Sequence, residues 1–220
     1  WAAWSAVLMG NRGAALNALV KNGFQPGPHR ERAFRLALQA MTTKAAHAAL
    51  QRLAANSTNV RCVIQGSGIA GDPAYVPWLV KQMDDPTQAR IAAEAFTFIS
   101  GVDLGAAALD RPAPEGFEVG PPDDPDDPDV DMDADDGLSW PDAGKIRAWW
   151  ETDGKRFQPG VRYFMGEPVS RAHCISVLKN GYQRQRILAA HYLCLLESGT
   201  QLFNTSAPAW RQRRLLAQMS

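Results

Sequence analysis

The sequence predicts an all-α protein in which antiparallel helix pairs stack side by side as an α-solenoid. Apolar residues recur at helical spacing along most of the chain, and a set of residues repeats at a step of 29 positions. No long segment shows the alternating pattern of a strand, although residues 161–165 could be briefly extended. The pattern leaves one alternative open, an irregular bundle of similar amphipathic helices.

The repeat begins with an arginine at the head of three successive apolar helices, Arg32, Arg61 and Arg90. Positions one, five and eight residues after each arginine share one helical face. A pair of helices cannot cover its own apolar face, so neighbouring pairs are expected to stack on it. The aligned sets are Ala33, Cys62 and Ile91, then Ala37, Gly66 and Ala95, then Ala40, Ile69 and Phe98.

Boundary signals divide the chain into eleven expected helices. Asp before Pro marks two starts, at Asp72 and at Asp85, and Gly101 marks a helix end. Pro168 is expected to open the ninth helix. The expected helices lie near 1–9, 12–22, 29–41, 43–55, 58–70, 74–83, 87–100, 142–153, 168–179, 183–197 and 207–218.

Two nearly identical heptapeptides each read as a helix end. LVKNGFQ ends at Gln25 and VLKNGYQ ends at Gln183. In each copy we expect the glycine, Gly23 or Gly181, to adopt the left-handed conformation that stops a helix. Both copies lead into another basic, alanine-rich helix, so the helix–glycine–helix unit is used at least twice.

An acidic, proline-rich segment separates two helical regions. We expect helical repeats in 1–101, a disordered insert in 102–141, and an aromatic junction followed by further helical repeats in 142–220. Between positions 110 and 142 there are 13 acidic residues and one basic residue, whereas the rest of the chain has 10 acidic and 22 basic residues. The insert is interpreted as a solvated tether, and weak electrostatic masking of the basic body is compatible with that interpretation.

Three aspartates of the insert, Asp131, Asp133 and Asp135, resemble the first half of a calcium loop. However, the sixth position holds Asp136 instead of the glycine that the turn needs, and the twelfth holds Asp142 instead of glutamate. Calcium binding is therefore the less favoured interpretation, and the sequence predicts neither a metal nor another cofactor.

Aromatic residues are dense after the insert, with basic residues between them. They could stack nucleic-acid bases, but their spacing favours a local core that restarts the helical packing. They are Trp140, Trp149, Trp150, Phe157, Tyr163 and Phe164.

Composition and cysteine spacing favour a soluble cytoplasmic protein. The longest apolar run is about half of the ~20 residues that cross a bilayer, so no membrane insertion is expected. Cys62, Cys174 and Cys194 lack the spacing of a disulfide framework, and we expect buried thiols in a reducing compartment. The sequence begins WAAWSAVLMG without Met, and we expect a fragment of a longer chain.

No catalytic residue is predicted. His173, Cys174, His191 and Cys194 could in principle converge on zinc, but adjacent helical side chains diverge and both helices are otherwise apolar. Buried histidines and thiols are the favoured interpretation. No serine elbow or phosphate-binding loop is found, so enzymatic activity has no support in the sequence.

Several longer strings resemble a known bacterial family. DPAYVPWLVKQMDDPTQARIAAEAFTFISGVDL, LSWPD, RYFMGEPVSRAHCISVLKNGYQRQRILAAHYL and LFNTSAPAWRQ are similar to an uncharacterised HEAT-repeat family often encoded near type VI secretion genes. The similarity covers most of the chain from Asp72 onward. The resemblance implies a HEAT-like α-solenoid and, by association, a role around secretion spikes or effectors.

The first functional hypothesis is a non-enzymatic scaffold or adaptor that binds another protein along its concave face. The candidate contacts are the repeated arginines Arg32, Arg61 and Arg90, together with Trp78. Alternatively, the arginines pair inside the stack with aspartates 84 and 85 or with helix carboxyl ends.

The second hypothesis is a nucleic-acid-binding α-solenoid. The body is basic outside the acidic insert, and Arg211, Arg213 and Arg214 cluster near the end of the chain. Phosphate contacts by these groups would make binding weaken steeply with salt.

Overall fold

The computed structural model describes residues 1–117, 120, 126 and 131–219. Eleven α-helices in this part of the chain make up most of the structure, about 60% of it, and confirm the predicted all-α class. Their bounds are α1 Ala2–Leu8, α2 Ala14–Gly23, α3 Arg30–Ala40, α4 Thr43–Ala54, α5 Val60–Ala70, α6 Val76–Gln82, α7 Pro86–Ser100, α8 Ala143–Asp153, α9 Arg171–Asn180, α10 Gln183–Leu196 and α11 Ala209–Leu216. Positions 118, 119, 121–125 and 127–130 of the predicted insert lie outside the described residues.

The helix ends lie within three residues of their predicted positions. The largest difference is at α9, which starts after Ser170 and not at Pro168, because the Ser170 side chain accepts the hydrogen bond of the His173 amide. The expected extended segment is a two-residue strand, β1 Tyr163–Phe164, which pairs antiparallel with β2 Glu167–Pro168.

The two repeated glycines do not adopt the left-handed conformation that the sequence predicts for them. Neither Gly23 nor Gly181 has a positive φ, and Gly181 is extended with φ −78° and ψ 166°. A Cβ on Gly23 would lie 2.6 Å from the backbone of Phe34, and one on Gly181 would lie 2.7 Å from the carbonyl oxygen of Val177. Glycine is needed at these positions because there is no room for a side chain.

Helices α3, α5 and α7, the three helices headed by the repeated arginines, pack side by side. Most of the aligned positions are buried, whereas Cys62 and Ala40 are half-buried. Helix α5 lies close against α7 at Gly68, where a Cβ would lie 2.7 Å from the Cα of Ala95. Gly66 instead faces the side chains of Leu50 and Phe34.

The chain after the insert returns to these helices. The amide of Tyr163 donates to the carbonyl of Gly71 at 2.8 Å, and the amide of Met165 donates to that of Phe98. Helix α10 pairs with α9 and also packs against α1 and α3. This return contact differs from a simple row, in which each helix pair touches only its neighbours.

Arg162 joins the carboxyl ends of two helices. Its Nε donates to the carbonyl of Ala70 at the end of α5, at 3.0 Å. Its terminal nitrogens donate to the carbonyls of Leu38, Gln39 and Met41 at the end of α3. Helix carboxyl ends carry partial negative charge and carbonyl groups that lack an intrahelical donor. A guanidinium supplies both a positive charge and hydrogen-bond donors.

Four of the six aromatic residues form a local core, as predicted, whereas Trp140 packs on Phe117 and Phe164 packs on Tyr192. Trp150 stacks on Phe157 with ring centroids 5.2 Å apart, and Phe157 meets the edge of Tyr163 at 4.9 Å. Trp149 and Trp150 both contact Phe96 of α7. These rings anchor α8 and the following turn on α7.

None of the helices in the described part of the chain has the length and apolar character required to cross a bilayer.

His191 is a buried histidine in α10. Its Nδ1 lies 2.9 Å from the side-chain oxygen of Gln39, whose amide nitrogen donates to the carbonyl of Leu188. The Gln39 oxygen is therefore the acceptor, and Nδ1 of His191 carries the proton. Burial lowers the pKa of His191 to about 4, with a smaller contribution from the nearby charge of Arg35.

We expect this histidine to make the fold sensitive to mild acid. The unfolded chain binds a proton near its ordinary pKa of 6.5 and the folded chain only near 4. Stability contributed by neutral His191 is present above pH 6.5 and is lost as the pH falls towards 4. Unfolding free energies from urea titrations at about pH 7.5 and about pH 5 should differ by about 2 kcal/mol more for the wild type than for His191→Gln. A His29→Gln control should behave as wild type, and an unchanged pH dependence in His191→Gln would contradict the assignment.

Candidate binding cleft

A cleft of about 450 Å³ opens between α3, α5, α7 and α10. Its apolar floor includes Phe34, Ile69 and Phe98, and its rim carries charged side chains from all four helices. We call it the arginine cleft. Its lining residues are Glu31, Phe34, Arg35, Arg61, Gln65, Ile69, Ile91, Glu94, Ala95, Phe98, Ala134, Arg184, Ile187 and Leu188.

A short part of the acidic insert lies along one edge of the cleft, which Ala134 helps to line. Residues 133–135, here called the acidic strap, are bound by arginines of three helices. Arg61 of α5 donates two hydrogen bonds to the carboxylate of Asp135, one from each terminal nitrogen, and that carboxylate is buried. A two-pronged contact of this kind is the strongest geometry available to an arginine and a carboxylate. The hydrogen bonds that Arg61 donates to Asp135 raise the pKa of Arg61.

Arg90 of α7 binds the strap at two points. One terminal nitrogen donates to the carboxylate of Asp133 at 2.6 Å and to the backbone carbonyl of Asp135 at 3.1 Å. The hydrogen bond from Arg90 lowers the pKa of Asp133. The guanidinium also lies 4.8 Å from the ring centre of Trp140, within the range of a cation–π contact. Arg90 is therefore nearly buried between the strap and the aromatic residues.

Arg184 of α10 completes the binding of the strap. It donates to the backbone carbonyl of Ala134 at 3.1 Å and to both carboxylate oxygens of Glu94 at 3.1 and 3.3 Å. Burial raises the pKa of Glu94, and the charge of Arg184 partly offsets this effect. The strap is thus held through two side chains and two backbone carbonyls.

A second cleft, of about 420 Å³, lies on the other side of Arg184 and Glu94. Residues 136–139 and Tyr182 help to line it, and Tyr182 is 72% exposed. Because Ala134 lines the first cleft and Asp136 the second, the chain crosses the boundary between them. The strap therefore leaves open space on both sides.

The structure separates the predicted protein-contact residues. Arg61 and Arg90 meet at the strap, and neither pairs with Asp84 or Asp85. Arg32 lies apart, with its guanidinium 3.8 Å from the ring centre of Trp1. The half-buried Trp78 lines a cleft of about 320 Å³ that shares no residue with the arginine cleft; it is formed by Leu50, Gln51, Ala54, Asn56, Ser57, Val60, Val63, Ser67, Tyr75 and Trp78.

The arginines of the nucleic-acid hypothesis lie on the last helix. Arg211, Arg213 and Arg214 are all exposed on α11. They are accessible to a charged partner, but they do not line either cleft at the strap.

The interpretation of the insert as a solvated tether is wrong for Asp133 and Asp135, whereas the other residues of 131–137 are exposed. Asp135 is 4% exposed, and Asp133 is half-buried. The ends of the insert also pair with each other, since Asp110 forms a β-bridge with Pro141. The calcium hypothesis lacks geometric support because two of its three aspartates bind arginines, and no group of three or more acidic, His or Cys side chains in the described ranges is placed to hold a metal ion.

The histidines and cysteines of the zinc hypothesis are engaged elsewhere. Nε2 of His173 contacts the carbonyl of Phe164 at 2.7 Å, while His191 contacts Gln39. Cys174 is buried, and burial raises the pKa of its thiol to about 12, so it is a poor nucleophile. Cys194 is buried as expected, and Cys62 is half-buried; all three cysteines are free thiols.

Sequence reasoning missed Asp133, Asp135 and Arg184 as parts of one site. The repeat singled out Arg61 and Arg90, and the charge asymmetry was compatible with masking of the basic body by the insert, but nothing in the sequence paired these arginines with particular aspartates. No protein-family model, curated protein or solved structure matches the chain. No relative therefore assigns a role to the arginine cleft.

Proposed function

We propose that this chain is a non-enzymatic helical-repeat scaffold or adaptor that binds another protein in the arginine cleft. The observation that carries the proposal is the cleft itself, an open groove with an apolar floor and a charged rim of three arginines and two glutamates. Aromatic and aliphatic floors with arginine rims are the composition of protein-binding surfaces. Side-by-side packing of α3, α5 and α7 supports the helical-repeat part of the proposal.

The arginine cleft is favoured over the Trp78 cleft because it offers both apolar and charged contacts. The Trp78 cleft is smaller, and its lining contains no charged side chain. Charged groups at a rim steer association and select partners, which an apolar groove alone does poorly.

The experiment fills each cleft with one bulky side chain. Gln65→Trp places an indole in the arginine cleft, and Gln51→Trp is the matched change at the Trp78 cleft. We expect partner recovery from host lysate on immobilised protein to fall about tenfold or more for Gln65→Trp and to remain for Gln51→Trp, since one blocked pocket commonly removes 1.4 kcal/mol or more, roughly a factor of ten.

Loss of the partner in Gln51→Trp alone would assign binding to the Trp78 cleft. Undiminished recovery by both variants would contradict binding at either cleft. Melting curves of both variants establish that they are folded.

The association with type VI secretion is proposed on the resemblance of the segments from Asp72 onward. Within that proposal, the captured partner is a secretion spike or effector protein. Nucleic-acid binding is a second candidate, favoured by the exposed arginines of α11. Nuclease treatment of the same lysate separates the two, because a partner held through nucleic acid would be lost.

A further inference from the structure

We propose that the arginine cleft recognises an acidic peptide segment of its protein partner, with aspartates at alternate positions, and that the chain's own strap occupies this site until the partner displaces it. The inference rests on the proposed function and names the chemistry of the partner. It also gives the acidic insert a role as a built-in competitor.

The bound strap shows what the site recognises. The carboxylates of Asp133 and Asp135 each meet a guanidinium, while two backbone carbonyls between and beside them accept hydrogen bonds from Arg184 and Arg90. The side chain of the intervening Ala134 is exposed. The site therefore recognises Asp-x-Asp, with little selection at the middle residue.

The strap is positioned to be replaced. Arg61 keeps 36% of its side chain exposed, so the contact with Asp135 is open to water at one edge. The strap leaves about 450 Å³ on one side and about 420 Å³ on the other. A longer acidic segment of a partner could make the same arginine contacts and fill this space, gaining contacts that the strap lacks.

The sequence of the insert contains the same pattern more than once. Aspartate occupies every second position at 127, 129, 131, 133 and 135. A shift by two residues would offer the arginines an equivalent pair of carboxylates. Neutralising Asp133 and Asp135 alone could therefore be compensated, and a decisive variant must change all five.

The test measures the affinity of a labelled peptide for the full chain. The probe is a fluorescent peptide of sequence DVDMDADDG, residues 129–137, and the control peptide has asparagine at every aspartate. The strap-neutral protein variant has Asn at the five alternating positions. We expect this variant to bind the acidic peptide about tenfold or more tightly than wild type at about 50 mM salt, since a tethered competitor acts at millimolar effective concentration.

Two further substitutions, made together, locate the binding. Adding Arg61→Gln and Arg90→Gln to the strap-neutral protein should abolish acidic-peptide binding, and the asparagine peptide should not bind either protein. Equal peptide affinity in wild type and strap-neutral protein, or affinity unchanged by the arginine substitutions, would overturn the proposal. Tighter binding of a single-stranded oligonucleotide than of the peptide would assign the site to phosphates and overturn it too.

A measurement on the wild type covers the case in which the strap-neutral variant does not fold. The amide of Asp135 donates to the carboxylate of Asp133 within the strap. Millimolar acidic peptide should speed hydrogen exchange of this amide, and unchanged exchange would overturn the proposal. If the acidic peptide does not bind while Gln65→Trp still loses the partner, the cleft binds protein by other chemistry. If the peptide does not bind and Gln65→Trp retains the partner, the proposed function is contradicted as well.

Discussion

Replacing Arg162 with methionine should lower the free energy of unfolding by about 4 kcal/mol, because hydrogen bonds from a charged donor contribute about 1.5–3 kcal/mol each and several are lost together. Methionine keeps much of the apolar stem but leaves the carbonyls at the ends of α3 and α5 without their donor. Those carbonyls are partly shielded from water, so solvent replaces the lost bonds poorly. Urea denaturation followed by circular dichroism measures the change.

Two control variants isolate the role of the planar guanidinium. Arg162→Lys should lose most of the same stability, because the compact ammonium lacks the planar fork of donors that reaches the carbonyls of both helices. Arg52→Met, at an exposed arginine of α4, should change stability by only about 0.5 kcal/mol. If Arg162→Lys kept the full stability of the wild type, a single positive charge would suffice. That result would contradict the role given to the planar guanidinium of Arg162.

Arg61→Gln should lower the free energy of unfolding by about 2 kcal/mol, less than the roughly 3–5 kcal/mol of a fully buried broken ion pair. Arg61 donates both of the hydrogen bonds that the described residues place on the carboxylate of Asp135. Without them, a charged group would remain buried. The cost is limited because the strap can leave the cleft and return its carboxylate to water.

The matched control is Arg35→Gln, which removes another arginine that lines the same cleft. Arg35 pairs with Glu31, a residue with 79% of its side chain exposed, one turn away in α3. Exposed pairs of this kind contribute about 0.3–0.5 kcal/mol. If Arg35→Gln and Arg61→Gln lowered the free energy of unfolding equally, the contact of Arg61 with the strap would contribute no more than an exposed ion pair.

The helices could be predicted from the sequence because their signals are local. Apolar spacing and capping residues act within a few positions, as at Asp85, whose side chain accepts the amide hydrogen bond of Thr87. The step of 29 also identified two arginines that share a site. The third, Arg32, lies apart from the strap and contacts Trp1 instead.

The strap could not be predicted because its partners are far apart in sequence. Arg61 and Asp135 are separated by 74 positions, and an acidic, proline-rich composition ordinarily indicates a solvated segment. Arg162 illustrates the same limit, since it reaches carbonyls more than 120 positions away. Tertiary ion pairs of this kind depend on how the chain returns to its first helices, and local composition carries no signal for that return.

A double-mutant cycle between Arg61 and Asp135 tests most directly whether the acidic strap occupies the arginine cleft in the folded protein. Urea titrations of Arg61→Gln, Asp135→Asn and the double variant, all made in a background with Asn at positions 127, 129 and 131 so that a shifted strap cannot replace Asp135, give the coupling free energy of the pair. The bound strap predicts a coupling of about 1.5 kcal/mol or more at low salt, within the range of residues in direct contact. Additive losses, with a coupling below about 0.3 kcal/mol, would show that the pair does not form in solution and would contradict the occupied cleft.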